Sequence, residues 1–211
     1  MTYKHLSFVS LFAVAALSAS AQRNVENFNF GWQFHRGNID VTAINTSDGS
    51  WETINVPHDF QISQPWVAPA ANESEDNSDG ASNFKSRLSA RGFKEMGDGW
   101  YVKTYTPAAD MKGRRILLDF EGIMYVGDVY LNGKRIGGTD YGYLGFDIDV
   151  SKLLKYGQAN TIAVHASTSG PLNSRWYTGG GLYRDVKIVS TPADIYFVRH
   201  PLYVTLSLIH I

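Results

Sequence analysis

Hydrophobic and polar residues alternate with a period of two along much of the chain. Ile116, Leu118 and Phe120 share one face of such a run, and its acidic residues lie on the other face. The runs at residues 160–166 and 183–190 repeat this pattern. A period of two predicts half-buried β-strands. Aromatic and β-branched composition adds further strand candidates at residues 51–56, 100–106, 125–131 and 195–198.

Short turn signals separate the predicted strands. Asn132 and Gly133 predict a two-residue hairpin, because a type I′ turn requires positive φ at both central residues. Ser151 is a candidate cap for a single helical turn over residues 152–156, which Gly157 ends. Since strands do not alternate with helices, a Rossmann fold or a (β/α) barrel fits poorly. The pattern predicts an all-β antiparallel sandwich, with jelly-roll topology preferred.

The first residues have the pattern of a secretory signal peptide. Lys4 and His5 precede the mostly apolar residues 6–17, and the small residues of Ala19-Ser20-Ala21 form a cleavage site before Gln22. The alternative is a membrane anchor, but this apolar run is too short to cross ~30 Å of hydrocarbon as a helix. We therefore expect residues 1–21 to be removed and the protein to be exported to the periplasm or the exterior.

Composition narrows the possible functions. Removing 21 of 211 residues leaves 190, enough for one domain and the start of a second. The chain has no cysteine, so thiol catalysis, disulfides and cysteine metal sites are excluded. The formal net charge of −1 gives no electrostatic reason to expect nucleic acid or an anionic membrane as a partner.

Residues 68–89 interrupt the strand pattern. They are rich in Ala, Asn, Ser, Asp and Gly, a composition that favours a solvated surface loop. The alternative is a loop that reaches a ligand or a neighbouring domain. The acids in this run lack the spacing of an EF-hand calcium loop, and we expect neither a metal nor a cofactor.

Three other groups of residues resemble catalytic patterns, and each has a structural interpretation. His58 and Asp59 lack an accompanying nucleophile pattern and are expected to form hydrogen bonds in a corner after Pro57. The glycines at residues 179–181 lack the Lys-Ser/Thr of a phosphate loop and predict a tight turn. The acid pairs Asp119/Glu121 and Asp147/Asp149 are expected on solvent-facing strand positions.

Longer motifs carry a resemblance to a known family. In chain order they are FNFGWQFHRG (28–37), WETINVPHDF (51–60), GWYVKTY (99–105) and the run from LDFEG (118–122) through SRWYTGGGLYRDV (174–186). Together they resemble the N-terminal sugar-binding domain of glycoside hydrolase family 2, and they cover nearly all of the chain beyond the signal segment. One such motif is weak, but four in the right order are specific.

The resemblance implies a domain organisation. Residues 22–191 would form a galactose-binding-like jelly-roll sandwich, and residues 192–205 would begin a linker or a second, immunoglobulin-like domain. Residues 206–211 (LSLIHI) read like a translated sequencing adapter and are expected to be non-native. The chain would then be a truncated fragment.

The resemblance also implies a function and a site. Family members are retaining hydrolases whose two catalytic glutamates lie in a (β/α)8 barrel beyond a second sandwich domain, so we expect no catalytic residue here. In the family, the stretch before the glycine turn reaches the terminal sugar, which makes Asn173, Arg175 and Trp176 candidate accessory substrate-binding residues. The alternative is a surface arginine beside a buried tryptophan.

The expected parent protein is an exported β-galactosidase-like enzyme that acts on a β-galactoside-type carbohydrate, and a homo-oligomeric full-length enzyme is compatible with this. The alternatives are the same domain of a β-glucuronidase or β-mannosidase, and a stand-alone carbohydrate-binding or adhesion module. The expected fragment neither hydrolyses a glycoside nor binds galactose better than millimolar, because half of a composite site offers little enclosure.

Overall fold

The computed structural model describes residues 22–67, 92–169 and 177–199. Within these residues ten β-strands form two antiparallel sheets. The strands are β1 (Asn24–Asn27), β2 (Trp32–Arg36), β3 (Glu52–Ile54), β4 (Asp98–Tyr105), β5 (Arg115–Phe120), β6 (Val126–Leu131), β7 (Lys134–Thr139), β8 (Phe146–Asp149), β9 (Asn160–Ser167) and β10 (Val186–Thr191).

The smaller sheet has the strand order β1-β10-β5-β8, and the larger sheet has the order β3-β2-β4-β9-β6-β7. The helical structure of the described residues is limited to two 3₁₀ turns, Val41–Ala43 and Ala109–Met111. None of the described residues forms a helix long and apolar enough to span a bilayer. The predicted all-β, galactose-binding-like sandwich is confirmed.

The core lies between the two sheets. The inward residues of β5 and β9 that alternation predicted are each at most 1% exposed: Ile116, Leu118, Phe120, Ile162, Val164 and Ala166. Trp32 is fully buried beside them, and its indole Nε1 donates to the Phe28 carbonyl at 2.8 Å. Each such side chain contributes roughly 1.5–3 kcal/mol through burial, so this core is the main source of the sandwich's stability.

A second hydrophobic cluster covers the outer face of the larger sheet. Trp100, Val102 and Ala163 are buried there against residues of the 39–51 segment, Ile39, Val41, Ile44 and Trp51. Trp100 and its neighbour Tyr101 point to opposite faces of β4, and both are buried. The two aromatic residues therefore pack in two separate clusters.

The β6–β7 hairpin forms as the sequence predicts. Leu131 pairs directly with Lys134, and the two residues between them, Asn132 and Gly133, have φ values of 52° and 80°. Positive φ at both positions is the signature of a type I′ turn.

Two local predictions are wrong. No helix forms after Ser151: only the Leu153 and Leu154 amides bond back to Val150, and the Ser151 hydroxyl instead accepts from the Ile116 amide at 2.8 Å. Residues 195–198 form no strand, because no described strand lies beside them to complete a ladder, and three of their four side chains are more than half exposed. Gly157 does turn the chain with a φ of 70°.

The strands of the sandwich end at Thr191 with β10. Three segments lie outside the described residues: the predicted signal segment, the polar run at 68–89 and the C-terminal residues 200–211. The predictions made for these segments remain predictions.

Candidate functional site

The three predicted substrate-binding residues, Asn173, Arg175 and Trp176, lie outside the described residues, in the segment 170–176. The structure does describe the residues on both sides of this segment. Thr168 and Ser169 precede it, and the glycine segment, which we define as residues 177–182, follows it. The candidate site is therefore described through the contacts that fix these two ends.

The entering end is fixed at Thr168, directly after β9. Thr168 is fully buried, and its amide donates to the Gly97 carbonyl at 2.8 Å. Its hydroxyl accepts from the Gly97 amide at 3.0 Å and donates to the Gly97 carbonyl at 3.1 Å. Three hydrogen bonds to one residue hold the chain rigidly where it enters the candidate site.

The leaving end is fixed by the carboxylate of Asp59. Oδ2 accepts from the Tyr177 hydroxyl at 2.7 Å, and Oδ1 accepts from the Gly180 amide at 2.9 Å. Oδ1 also accepts from the Gln61 amide at 2.9 Å. Burial and the bond to Asp59 raise the pKa of Tyr177, so the tyrosine stays protonated and remains a donor at neutral pH.

The glycines allow the glycine segment to approach the 58–61 corner closely. Gly179 has a φ of 73°, and a Cβ placed there would lie 2.5 Å from Asp59 Oδ2. Gly181 has a φ of 114°, and a Cβ there would overlap the Tyr101 hydroxyl and lie 3.0 Å from the His58 carbonyl oxygen. The structure shows no tight turn here: the segment runs beside residues 58–60, where the Phe60 amide donates to the Gly180 carbonyl at 3.0 Å. Close tertiary contact, rather than a turn, requires these glycines.

His58 and Asp59 act separately in this corner. The His58 amide donates to the Leu182 carbonyl at 2.7 Å, and its ring Nδ1 lies 2.9 Å from the hydroxyl of fully buried Tyr101. Burial lowers the pKa of His58, while Glu52 and Asp59 oppose that shift; burial raises the pKa of Tyr101. A neutral imidazole can accept a hydrogen bond from the tyrosine hydroxyl at Nδ1, which fits a structural role for His58.

A buried amide lies beneath the glycine segment. The Gln61 side chain is fully buried, and among the described residues neither its Nε2 nor its Oε1 has a hydrogen-bond partner. A Cβ at Gly180 would lie 3.3 Å from Oε1. The Thr178 hydroxyl is buried and unpaired as well. Buried polar groups that lack a hydrogen-bond partner are rare in protein interiors, because leaving them unpaired costs free energy of folding.

The chain is similar in sequence to several known proteins. Residues 86–174 match the glycosyl hydrolase 2 galactose-binding domain-like family. A putative β-glucuronidase from Formosa agariphila is 34% identical over 170 residues, which covers 80% of this chain and 15% of that protein. The β-galactosidase BoGH2A from Bacteroides ovatus is 30% identical over 180 residues, covering 85% and 19%. This chain belongs to glycoside hydrolase family 2.

Solved structures agree with this assignment. A glycosyl hydrolase family 2 member from Bacteroides cellulosilyticus superposes with a TM-score of 0.64 at 32% identity, covering 80% of this chain and 20% of that one. A β-glycosidase from Bacteroides vulgatus gives a TM-score of 0.63 at 32% identity, covering 79% and 20%. The family 2 domain described here thus spans about a fifth of the length of the proteins it matches.

Three of the four acids in the two acid pairs of the family 2 domain form ion pairs among the described residues. Asp119 pairs with Arg199, Glu121 with Lys187, and Asp149 with Arg115 at 3.0 Å. The side chain of Asp119 is only 16% exposed, so the expectation of a solvent-facing position was wrong for this residue.

Sequence reasoning missed the residues that fix the glycine segment of the family 2 domain. Asp59 was recognised only as the neighbour of His58, and Tyr177 and Gln61 were not singled out. Tyr177 lies 118 residues from Asp59, so only the fold brings them together. Among the described residues, no group of three His, Asp or Glu side chains is arranged to hold a metal.

Proposed function

We propose that this chain is the N-terminal domain of an exported, retaining β-galactosidase-like glycosidase. In that enzyme, residues 170–176 contribute to recognition of the terminal sugar. Family membership supports the glycosidase class. The matched relatives are about five times longer than the chain, which leaves room for a catalytic domain. The apolar run before Gln22 supports export.

The observation that carries the proposal is the anchoring of both ends of residues 170–176. Thr168 fixes the entering end by three hydrogen bonds to Gly97. Asp59 fixes the leaving end through Tyr177 and Gly180. A segment between two fixed ends loses less conformational entropy when it binds a ligand than a free loop does. This arrangement suits a recognition element that projects from a rigid sandwich.

The residues of the segment have the chemistry of sugar recognition. Arg175 carries five N–H donors in a planar fork that can bond two sugar hydroxyls. Asn173 offers both a donor and an acceptor. Trp176 provides an apolar ring that can line the wall of a sugar pocket. In the proposed enzyme these residues form one side of a composite site.

Catalysis is assigned to the rest of the proposed enzyme. Retaining hydrolysis needs two carboxyl groups ~5–5.5 Å apart, one as acid/base and one as nucleophile. The acids Asp119, Glu121 and Asp149 of this chain are paired with cations instead. The expected result for the isolated chain is no turnover of a chromogenic β-galactoside and no galactose binding tighter than millimolar.

A β-glucuronidase is the second candidate, and the relatives favour it specifically. Several of the matched proteins, including the one from Formosa agariphila, carry that name. The guanidinium of Arg175 would suit a uronate carboxylate as well as a hydroxyl. A β-mannosidase and a stand-alone carbohydrate-binding module are further alternatives. The gene sequence beyond residue 205 separates the module from the enzymes, because only an enzyme gene continues into a barrel with two suitable glutamates.

The test is steady-state kinetics of the full-length enzyme and its Arg175→Ala variant with aryl β-galactoside and aryl β-glucuronide. If the guanidinium bonds the sugar, kcat/KM falls by about 1.5–3 kcal/mol on the preferred substrate, the range of a charged hydrogen bond. The melting temperature is expected to stay unchanged, because the proposed role of the guanidinium is in sugar recognition and not in folding. Arg23→Ala, which removes an exposed arginine of the same charge, is the control.

Two outcomes would contradict the proposal. Unchanged kcat/KM in Arg175→Ala would make residues 170–176 a structural connection rather than a recognition element. An equal loss in Arg23→Ala would attribute the effect to overall charge. A Trp176→Ala variant is expected to lower the melting temperature as well as kcat/KM, because loss of a large aromatic ring commonly costs stability.

A further inference from the structure

A cavity of about 970 Å³ opens at one end of the smaller sheet. It lies where β5 begins and β8 ends, and it is bordered by the turn at residues 151–154 and the outgoing segment at 193–196. In the β5–β10 register, Arg115 is opposite Thr191 at this end, whereas Phe120 is opposite Val186 at the other end, which leads to the glycine segment. The cavity and the glycine segment therefore lie at opposite ends of one sheet.

The walls of the cavity are strongly cationic. Lys112, Arg114, Arg115 and Lys152 line it, and Asp149 is the one acid among the described residues that line it. Four positive charges against one negative charge give a local net charge of +3, although the chain as a whole has a net charge of −1. A concave surface lined by one sign of charge concentrates ligands of the opposite sign.

The charge of Arg115 is only partly compensated. Its Nε donates to Asp149 Oδ2 at 3.0 Å, and its buried Nη1 has no hydrogen-bond partner in the described part of the chain. The other three cations of the cavity are also not neutralised by an acid among the described contacts. Arg114 donates to the neutral Gln22 carbonyl, and the described contacts give neither lysine an acidic partner. The cavity thus has more positive charge than its own acid can balance.

The other surfaces of the cavity are apolar and aromatic. Leu153 is 44% exposed at the rim, and the rings of Tyr156 and Tyr196 also line the cavity. The Arg115 guanidinium lies 4.1 Å from the centroid of the Tyr196 ring, which holds both groups in position. An apolar floor with a few charged groups is typical of a small-molecule site, and the volume lies within the usual ~300–1,000 Å³.

We propose that this cavity binds an oligosaccharide that carries anionic groups, either uronate carboxylates or sulfate esters. The cations would pair with the anionic groups, and the leucine and tyrosine surfaces would pack against the apolar faces of the sugar rings. A simple inorganic anion would use the charge and leave the apolar floor uncovered. This site goes beyond the proposed function and does not depend on residues 170–176.

The test is calorimetric titration of the 211-residue chain with three oligosaccharides of equal length: an oligouronate, a sulfated oligosaccharide and a neutral one. At least one anionic ligand is expected to bind at least tenfold more tightly than the neutral ligand. That binding should weaken when salt rises from about 0.05 to about 0.5 M, because salt screens exposed charges. Which of the two anionic ligands binds identifies the anionic group.

Variants of the cavity lysines test where the ligand binds. A double variant, Lys112→Ala with Lys152→Ala, is expected to weaken binding at least tenfold with an unchanged melting temperature, since both lysine side chains are exposed. The control is Lys134→Ala with Arg135→Ala, which removes two exposed cations from the β6–β7 hairpin and should leave binding unchanged.

Equal binding of the anionic and neutral ligands, or no binding of any of the three, would overturn the proposal. Anionic binding that persists in the Lys112/Lys152 variant would place the ligand elsewhere and overturn it too.

Discussion

The β6–β7 hairpin and the glycine segment both contain glycines at positive φ, but for different physical reasons. At Gly133 of the hairpin, φ is 80° and no atom lies within 4 Å of the place a Cβ would take. At Gly181 of the glycine segment, φ is 114° and the Tyr101 hydroxyl occupies that place. The hairpin needs glycine for backbone conformation alone, whereas the glycine segment needs it for conformation and for space.

The hydrogen bonds of the two regions differ in the same way. In the hairpin, Asn132 Oδ1 accepts from the Thr161 amide at 3.0 Å, on a strand that already neighbours β6. At the glycine segment, Tyr177 and Gly180 donate hydrogen bonds to Asp59, which lies more than 100 positions away in the sequence. A substitution in the hairpin turn is expected to disturb only neighbouring residues. A substitution in the glycine segment is expected to disturb contacts between distant parts of the chain.

The largest expected effect is that of Gly181→Ala. The added methyl group would overlap the Tyr101 hydroxyl, and overpacking costs ~1–3 kcal/mol. A non-glycine residue at this φ adds ~1–3 kcal/mol of backbone strain. We therefore expect the free energy of unfolding, measured by urea denaturation, to fall by about 2–6 kcal/mol. A loss below about 1 kcal/mol would show that the junction is soft and would remove the contrast with the hairpin.

The next effect in size is that of Asp59→Ala. It leaves the Tyr177 hydroxyl and the Gly180 and Gln61 amides without their acceptor, and we expect a loss of about 2–3 kcal/mol of unfolding free energy. Asp59→Asn keeps an acceptor oxygen and should lose less.

A matched control for Asp59 is Asp40→Ala. Asp40 also accepts hydrogen bonds through Oδ1, but from a single residue two positions away, Thr42, at the exposed start of a 3₁₀ turn. If Asp40→Ala and Asp59→Ala cost the same, the distant contacts of Asp59 carry no extra stability.

A smaller effect is expected in the hairpin itself. Gly133→Ala places a side chain at a φ of 80° in open space, so only the backbone cost of about 1–2 kcal/mol applies. The same denaturation measurement checks it. A loss as large as that of Gly181→Ala would mean that the backbone conformation, rather than close packing, dominates at both positions.

The smallest effect concerns pH. Burial lowers the pKa of His58 below its ordinary value of 6.5, so the folded state binds a proton less readily than the unfolded chain. The stability that this group contributes is complete above pH 6.5 and is lost as the pH falls from there towards the folded-state pKa. Wild-type unfolding free energy should therefore decline in this window.

His58→Gln separates that contribution from those of other groups. The variant should show a shallower decline below pH 6.5 than the wild type, while Gly133→Ala should keep the wild-type slope, because the hairpin turn contains no titrating group. Identical slopes for His58→Gln and the wild type would show that His58 is not shielded from solvent in the folded protein.

The sequence pattern predicted most of the sandwich, because strands and tight turns depend on residues that are close together in the chain. The inward residues of β5 and β9 follow from alternation, and the type I′ turn follows from Asn132 and Gly133. Prediction failed where neighbours decide. Residues 195–198 have strand composition but no adjacent strand, and Ser151 bonds to the start of β5 instead of capping a helix.

The candidate site was predictable only in part. The family motifs indicated which stretch to examine, but the tight turn predicted from the glycines at 179–181 is wrong. Nothing in the order of residues links Asp59 with Tyr177, or shows that Gln61 is buried without a hydrogen-bond partner among the described residues. These relations depend on which loops the two sheets bring to the same end of the sandwich.

The sequence by itself determined the all-β class, most of the strands, the hairpin turn and the glycoside hydrolase family, because alternation, turn residues and motifs act over a few neighbouring positions. Only the tertiary structure decided that Trp100 and Tyr101 pack in separate clusters, that Asp59 fixes the glycine segment, and that four cations surround one cavity. Those features join residues from distant parts of the chain, and their contacts exist only once the two sheets have packed together.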